Sequence, residues 1–294
     1  MLVGGRLELA CPTCRSDLNS VSDGVACPNG HSFPTLGATI DFLPGAGDDD
    51  SFHATDSDLG REESGAAWRT EQYLLPVLNR VLGERQGEPI LDDGCGVGAV
   101  VSELVGHGFE AYGVDPGVRT AKWEASPIPE RLFRADGTSL PFPDDTFGAI
   151  VSSGVLEHVG EPLPFGRRKP AQVGYIREAL RVLKPGGVAL MGAPNGAHPI
   201  DYWHGRGPMR LHIPYESWMP NGPRVRDWVA RSGYPADVTF LSPENYLSFQ
   251  RIRQQWVGRV FTSSMQATFR TVTRFPALAD SPMNPWLIAC IRKR

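Results

Sequence analysis

The stretch EPILDDGCGVGAVVSELVGHGFEAYGVDPG, residues 88–117, allows few folds. A short apolar run ends in two acids and a glycine loop. A helix-length apolar segment follows, and then a second short apolar run that ends on Asp115. The alternation continues. VRTAKWEA is helical, RLFRAD is a third strand and FGAIVSSG a fourth. QVGYIREALRVLKPGG is an amphipathic helix stopped at Pro185-Gly186-Gly187, and GVALMGAP is a fifth strand. PADVTFL and PWLIACIRK supply two more. Strand and helix in turn predict an α/β, doubly wound, mostly parallel sheet of seven strands. Ligands of such sheets bind outside the carboxyl ends of the strands.

The chemistry-bearing residues fall at those ends. Gly94, Gly96 and Gly98 leave the first strand, where a ligand can approach bare backbone. Asp115 ends the second strand, a position suited to ribose hydroxyls. A glycine loop of this kind is weak evidence alone, because dinucleotide-binding enzymes share it. Two details narrow it: Asp92 stands two residues before the loop, and Ala99 occupies the place of a third fingerprint glycine. Asp136 then ends the third strand and His158 follows the fourth.

With ILDDGCGVG, GVDPG, ADGTSLPFPDDTFGAIVSSGVLEHV and REALRVLKPGGVALMGAPN, residues 90–195 resemble the class I S-adenosylmethionine-dependent methyltransferases of the type 11 group. The resemblance implies a Rossmann-like fold and a residue-by-residue cofactor site. Asp92 and the loop Gly94, Cys95, Gly96 and Gly98 hold the methionine portion, with Asp92 near its amino group. Asp115, followed by Pro116, holds the ribose. Asp136 and the backbone of Gly137 face the adenine. Ser152 and Ser153 line the floor beside the sulfonium. The helix AAWRTEQYLLPVLNRVL, with Trp68, Arg69 and Tyr73, folds over the cofactor. Asp93 stands where that family usually carries an apolar residue, and it is expected to face solvent.

The front of the chain carries a different pattern. Cys11, Cys14, Cys27 and His31 are spaced C-x2-C-x12-C-x3-H. Three thiolates and an imidazole fill a tetrahedral zinc shell and leave no position for water, so the expected ion is structural Zn2+. About 40 residues build little core, and a metal crosslink compensates. With the FLP that follows, the pattern resembles the zinc-binding front of the 23S ribosomal RNA guanine-N1 methyltransferases, in which the ribbon helps contact RNA. The charge departs from that precedent. Residues 1–60 hold nine acids and two bases, whereas phosphate contacts need a basic face. A zinc ribbon over 1–45, an acidic linker over 46–65 and a methyltransferase domain over 66–294 are expected.

Two insertions break the plain fold. NGAHPIDYWHGRGPMRLHIPYESWMPNG, residues 195–222, is long and irregular at a strand's carboxyl end, as binding loops are. His204 and His212, with His158 and His198, are candidate bases. Tyr202 and Trp203 either stack on a flat acceptor or close the local core. The second insertion, residues 245–282, includes an amphipathic segment with Phe249, Ile252, Trp256 and Val260 at helical spacing. It is either a packed helix, a substrate cap or a homodimer surface. The loop EPLPFGRRKPAQ, residues 161–172, either gates the rim or is merely exposed.

The balance of charge, −4 overall, gives no general attraction to nucleic acid or to an anionic membrane. No apolar run approaches the roughly 18 residues that span a bilayer. With no secretory leader and no paired cysteine pattern, a reducing cytoplasmic setting is expected. The acceptor is expected to be a small molecule. An RNA guanine is the alternative, and a non-catalytic cofactor-binding partner subunit is a remote one.

Overall fold

The computed structural model describes residues 2–3, 7–44, 65–85, 87–160, 165–201, 210–211, 219–242 and 267–294. The strands are β1 (Leu2–Val3), β2 (Leu7–Glu8), β3 (Asn19–Val21), β4 (Gly24–Ala26), β5 (Ser32–Leu36), β6 (Thr39–Asp41), β7 (Ile90–Asp93) and β8 (Ala111–Asp115). They continue with β9 (Leu132–Arg134), β10 (Phe147–Ser153), β11 (Leu183–Pro194), β12 (Ile200–Asp201), β13 (Arg210–Leu211), β14 (Ala236–Phe240) and β15 (Trp286–Lys293). The central sheet has the order β14-β15-β11-β10-β7-β8-β9-β6-β5-β4-β3.

Seven of these strands, β7 to β11 with β14 and β15, lie where the apolar runs of residues 90–293 predict them. β7 pairs in parallel with both β8 and β10, so the strand order reverses between β7 and β10. That reversal opens a crevice at the strands' carboxyl ends. β15 runs antiparallel between β11 and β14. β7, β8 and β10 are buried on both faces, which explains their short apolar runs.

The sheet does not stop at seven strands. The expected ribbon is not an independent body, because β6 adds in parallel to β9 and carries β5, β4 and β3 with it. Ile40 lies beside Phe133 and Asp41 beside Arg134 in the register. Phe42 N donates to Arg134 O at 2.8 Å. Arg134 Nη1 donates to Asp41 Oδ2 at 3.1 Å, and both side chains are buried. An aromatic row crosses the junction: Phe33, Phe42, Phe133, Phe142 and Phe147 follow one another at centroid separations of 5.1, 6.4, 5.7 and 4.9 Å. Leu7, Leu9, Leu18, Val25 and Phe33 therefore share one core with Tyr112, Ile150 and Ile176. A sheet edge with unpaired amides is a liability, and the front strands cover this one. No periodicity in sequence encodes such a parallel join between segments 90 residues apart.

The expected loop 161–172 is largely helical. Helix Phe165–Val182 begins within it, carries Pro170 inside and ends where β11 starts. Its inner face buries Tyr175, Ile176, Ala179 and Leu180. The linker and most of both expected insertions lie outside the described residues. Among the described residues no helix is long and apolar enough to cross a membrane.

Candidate functional site

The loop after β7 is shaped by its glycines. Gly94 and Gly98 have φ of 88° and 78°, in the left-handed region that favours glycine. A Cβ on Gly94 would overlap Val155, and one on Gly98 would lie 2.7 Å from Leu132 Cδ1. The amides of Gly94 and Cys95 both donate to Val114 O at 2.9 Å, which folds the loop back over β8.

Asp115 then clasps it. Its Oδ2 accepts from Gly96 N at 2.9 Å and its Oδ1 from Gly117 N at 2.8 Å. Each carboxylate oxygen has a second lone pair, so both can still accept from a vicinal diol. Trp123, which the sequence did not single out, donates from Nε1 to Gly96 O at 2.9 Å and is fully buried. Both sides of Gly96 are thus held. A lone tryptophan in a polar helical segment was the available signal. Asp92 is buried at the end of β7, and Pro116 is exposed beside Asp115. The Cys95 thiol turns into the core against Gly113 and Val101, so only its backbone faces the loop.

Beside β8, on the same side of the crevice, lies the turn after β9. Exposed Asp136 accepts at Oδ1 from Thr138 N and Thr138 Oγ1, each at 2.8 Å. Gly137 is buried where a Cβ would overlap the Tyr175 ring. Ser152 and Ser153 face opposite ways along β10. Ser153 is exposed, whereas the Ser152 hydroxyl is buried and pairs with Tyr175 Oη at 2.7 Å. Of the two, only Ser153 is open to the crevice end of the sheet.

Asp93 does not face solvent as its sequence position led one to expect. It is 2% exposed, packs against Gly137, and its Oδ2 has no hydrogen-bond partner. Burial pushes its carboxyl up to about 8; a hydrogen bond from Tyr175 opposes this, and Asp136, Asp92 and Asp115 add to the rise. Below about pH 4 the group is neutral in both folded and unfolded chains. Between about 4 and 8 only the folded chain keeps its proton, so stability falls as pH rises through this window. Asp93→Asn is expected to flatten that slope. Urea unfolding at pH 5 and pH 8 checks it: an equally steep loss in the variant would rule Asp93 out as the source.

Of the candidate bases, His158 sits half-buried just past β10, and its amide donates to Val155 O at 2.8 Å. His198 is buried, with Nδ1 2.9 Å from Pro282 O, and so braces the loop after β11. His204 and His212, with Tyr202 and Trp203, lie outside the described residues. Tyr73 is half-buried in a π-helical turn, Thr70–Leu74, packed on the cluster that contains Cys95 and Trp123. Burial raises its hydroxyl well above the ordinary range.

At the front, Cys11, Cys14, Cys27 and His31 present ligand atoms that all lie within 4.8 Å of one another. Cys14 Sγ is 3.6 Å from Cys27 Sγ, and His31 Nδ1 is 3.3 Å from Cys27 Sγ and 3.6 Å from Cys11 Sγ. A tetrahedral zinc with Zn–S near 2.3 Å spaces its sulfurs about 3.8 Å apart, so the four residues fit the ion. Hydrogen bonds from Ser16 and Asn29 bring the Cys14 thiol down to about 5, while burial raises that of Cys11. Elemental analysis is expected to find about one zinc per chain, lost in Cys11→Ser. Purified, folded protein without zinc would overturn the assignment.

This geometry can be set beside known proteins. Residues 91–191 match the model of a methyltransferase domain. An uncharacterised methyltransferase of Mycolicibacterium vanbaalenii is 36% identical over 131 residues, 42% of this chain and 48% of that one. One of Mycobacterium leprae is 32% identical over 160 residues, 52% of this chain and 55% of that one. The chain thus spans about half the length of the curated relatives it matches. In fold, the chain is similar to phosphoethanolamine N-methyltransferase 2 of Haemonchus contortus, solved with phosphomonomethylethanolamine and S-adenosylhomocysteine. The TM-score is 0.50 at 15% identity, over 83% of this chain and 58% of that one.

Proposed function

We propose that the protein transfers a methyl group from S-adenosylmethionine to a small-molecule acceptor. One observation carries the cofactor: a glycine loop with no room for side chains is clasped to Asp115 where the strand order reverses. The residues fit the ligand. On this reading Asp92 takes the amino group, the loop backbone the methionine chain, Asp115 the ribose hydroxyls, and Asp136 with Gly137 the adenine. S-adenosylmethionine, when bound, supplies an activated methyl on its sulfonium. The chain's own work is to align the acceptor with that methyl and to exclude water. If the acceptor loses a proton, His158 is the described histidine on the crevice side of β10, and its imidazole is the group to take it. The metal site stabilises the front strands and takes no part in transfer, because its four ligands leave no open position. Thiolate ligands of this kind persist in a reducing compartment, which supports a cytoplasmic location.

The acceptor class rests on charge. Among the described residues of the front segment, the exposed acids Glu8, Asp17 and Asp23 outnumber the exposed base Arg15, which opposes a phosphate backbone. The cysteine spacing favours the second reading, an RNA guanine. Labelled S-adenosylmethionine separates them. The protein is incubated with total RNA and, separately, with a small-molecule extract of its source cells. Label in the extract supports the proposal. Label in RNA replaces it with the second reading, and label in neither rejects transfer to both.

A further inference from the structure

The metal cluster and the turn that ends β9 are one hydrogen-bonded unit. Residues 10, 12 and 15 flank the ligands Cys11 and Cys14, and residues 139, 140 and 141 follow the Asp136–Gly137 turn. Ala10 N donates to Pro141 O at 3.0 Å. Ser139 Oγ donates to Pro12 O at 2.8 Å. Arg15 Nη1 donates to Leu140 O at 2.9 Å, while its Nη2 pairs with Glu178 at 3.0 Å. Glu178 Oε2 in turn accepts from Leu140 N at 3.1 Å. The ligand loop sets the aim of Arg15. Its backbone has φ 64°, unusual for a residue with a side chain, and its amide donates to Cys11 O at 2.8 Å. A metal-closed turn is a natural way to hold a non-glycine residue there. Ser139 N donates to Asp136 O at 2.8 Å, which carries the restraint back to the turn itself.

We infer that the metal-held turn positions the adenine edge of the cofactor site, with Arg15 and Ser139 as positioning residues, so that metal loss is felt as weaker and less base-selective cofactor binding. This rests on the proposed role of Asp136 and Gly137. The physical basis is that a restrained turn costs less to order on binding than a free one. No residue of the 136–141 turn is itself a metal ligand, so the coupling passes through three backbone carbonyls: Pro12, Leu140 and Pro141.

The test measures calorimetric affinity for S-adenosylhomocysteine and for S-inosylhomocysteine, which differs only in the base. The full chain is used as purified with zinc, after chelation, and after zinc is restored. Chelation is expected to weaken S-adenosylhomocysteine by about tenfold, the size of one lost charge-assisted hydrogen bond, and restored zinc to recover it. Arg15→Ala and Ser139→Ala keep all four ligands, so they carry the test even if the chelated chain unfolds. Both are expected to retain zinc and to lose discrimination between the two bases. Equal weakening of both ligands would mean a merely structural role and overturn the inference. Unchanged affinity in zinc-replete variants would overturn it as well. No binding of S-adenosylhomocysteine by the zinc-replete wild type would overturn the cofactor reading beneath it.

Discussion

Asp115→Ala is expected to weaken S-adenosylhomocysteine binding by about 100-fold, as two charge-assisted hydrogen bonds to a ribose disappear. The effect has a second source within the protein. The carboxylate also holds Gly96 N and Gly117 N, so its loss frees the glycine loop after β7. Asp115→Asn separates the two. An amide can accept through one oxygen only, and its nitrogen opposes one of the two backbone amides. It is expected to fall close to the alanine variant rather than midway. Isothermal calorimetry reads both, and wild-type affinity in Asp115→Ala would remove the ribose assignment.

Asp41→Ala is expected to cost about 3–5 kcal/mol of stability, because it leaves the Arg134 guanidinium buried without its carboxylate. It also removes the acceptor of Leu43 N, at 2.8 Å. The damage should spread beyond the front segment, since this pair lies inside the junction of β6 and β9. The double variant Asp41→Leu with Arg134→Met removes both charges and is expected to recover much of the loss. Urea unfolding measures it. If Asp41→Ala unfolds at the wild-type midpoint, or if the front melts separately from the rest, the shared-core view fails.

These two sites differ in how far they could be foreseen. Asp115 was legible because its role is local. An acid at the end of a short apolar strand, 17 residues beyond the last loop glycine, falls at the crevice in any parallel sheet of this order. The clustering of Cys11, Cys14, Cys27 and His31 was legible for the same reason, since each pair closes a short turn. Asp41 and Arg134 were not: one read as part of a closing strand in a separate ribbon, the other as one residue of a third strand. Only their pairing gives either a function, and strand pairing across 93 positions leaves no periodic trace. Asp93 was misplaced for a related reason. Its position at a strand end looked open, and the helix carrying Tyr175 covers it.

By itself, then, the chain's sequence determined the α/β alternation, the glycine loop with Asp115 and the cysteine–histidine set, because each is written in residues close together. The tertiary structure alone decided that the front strands extend the main sheet, that Trp123 props Gly96 and that the Cys11–Cys14 turn grips residues 139–141. Those depend on which surfaces bury one another, and the energy of burial is blind to distance along the chain.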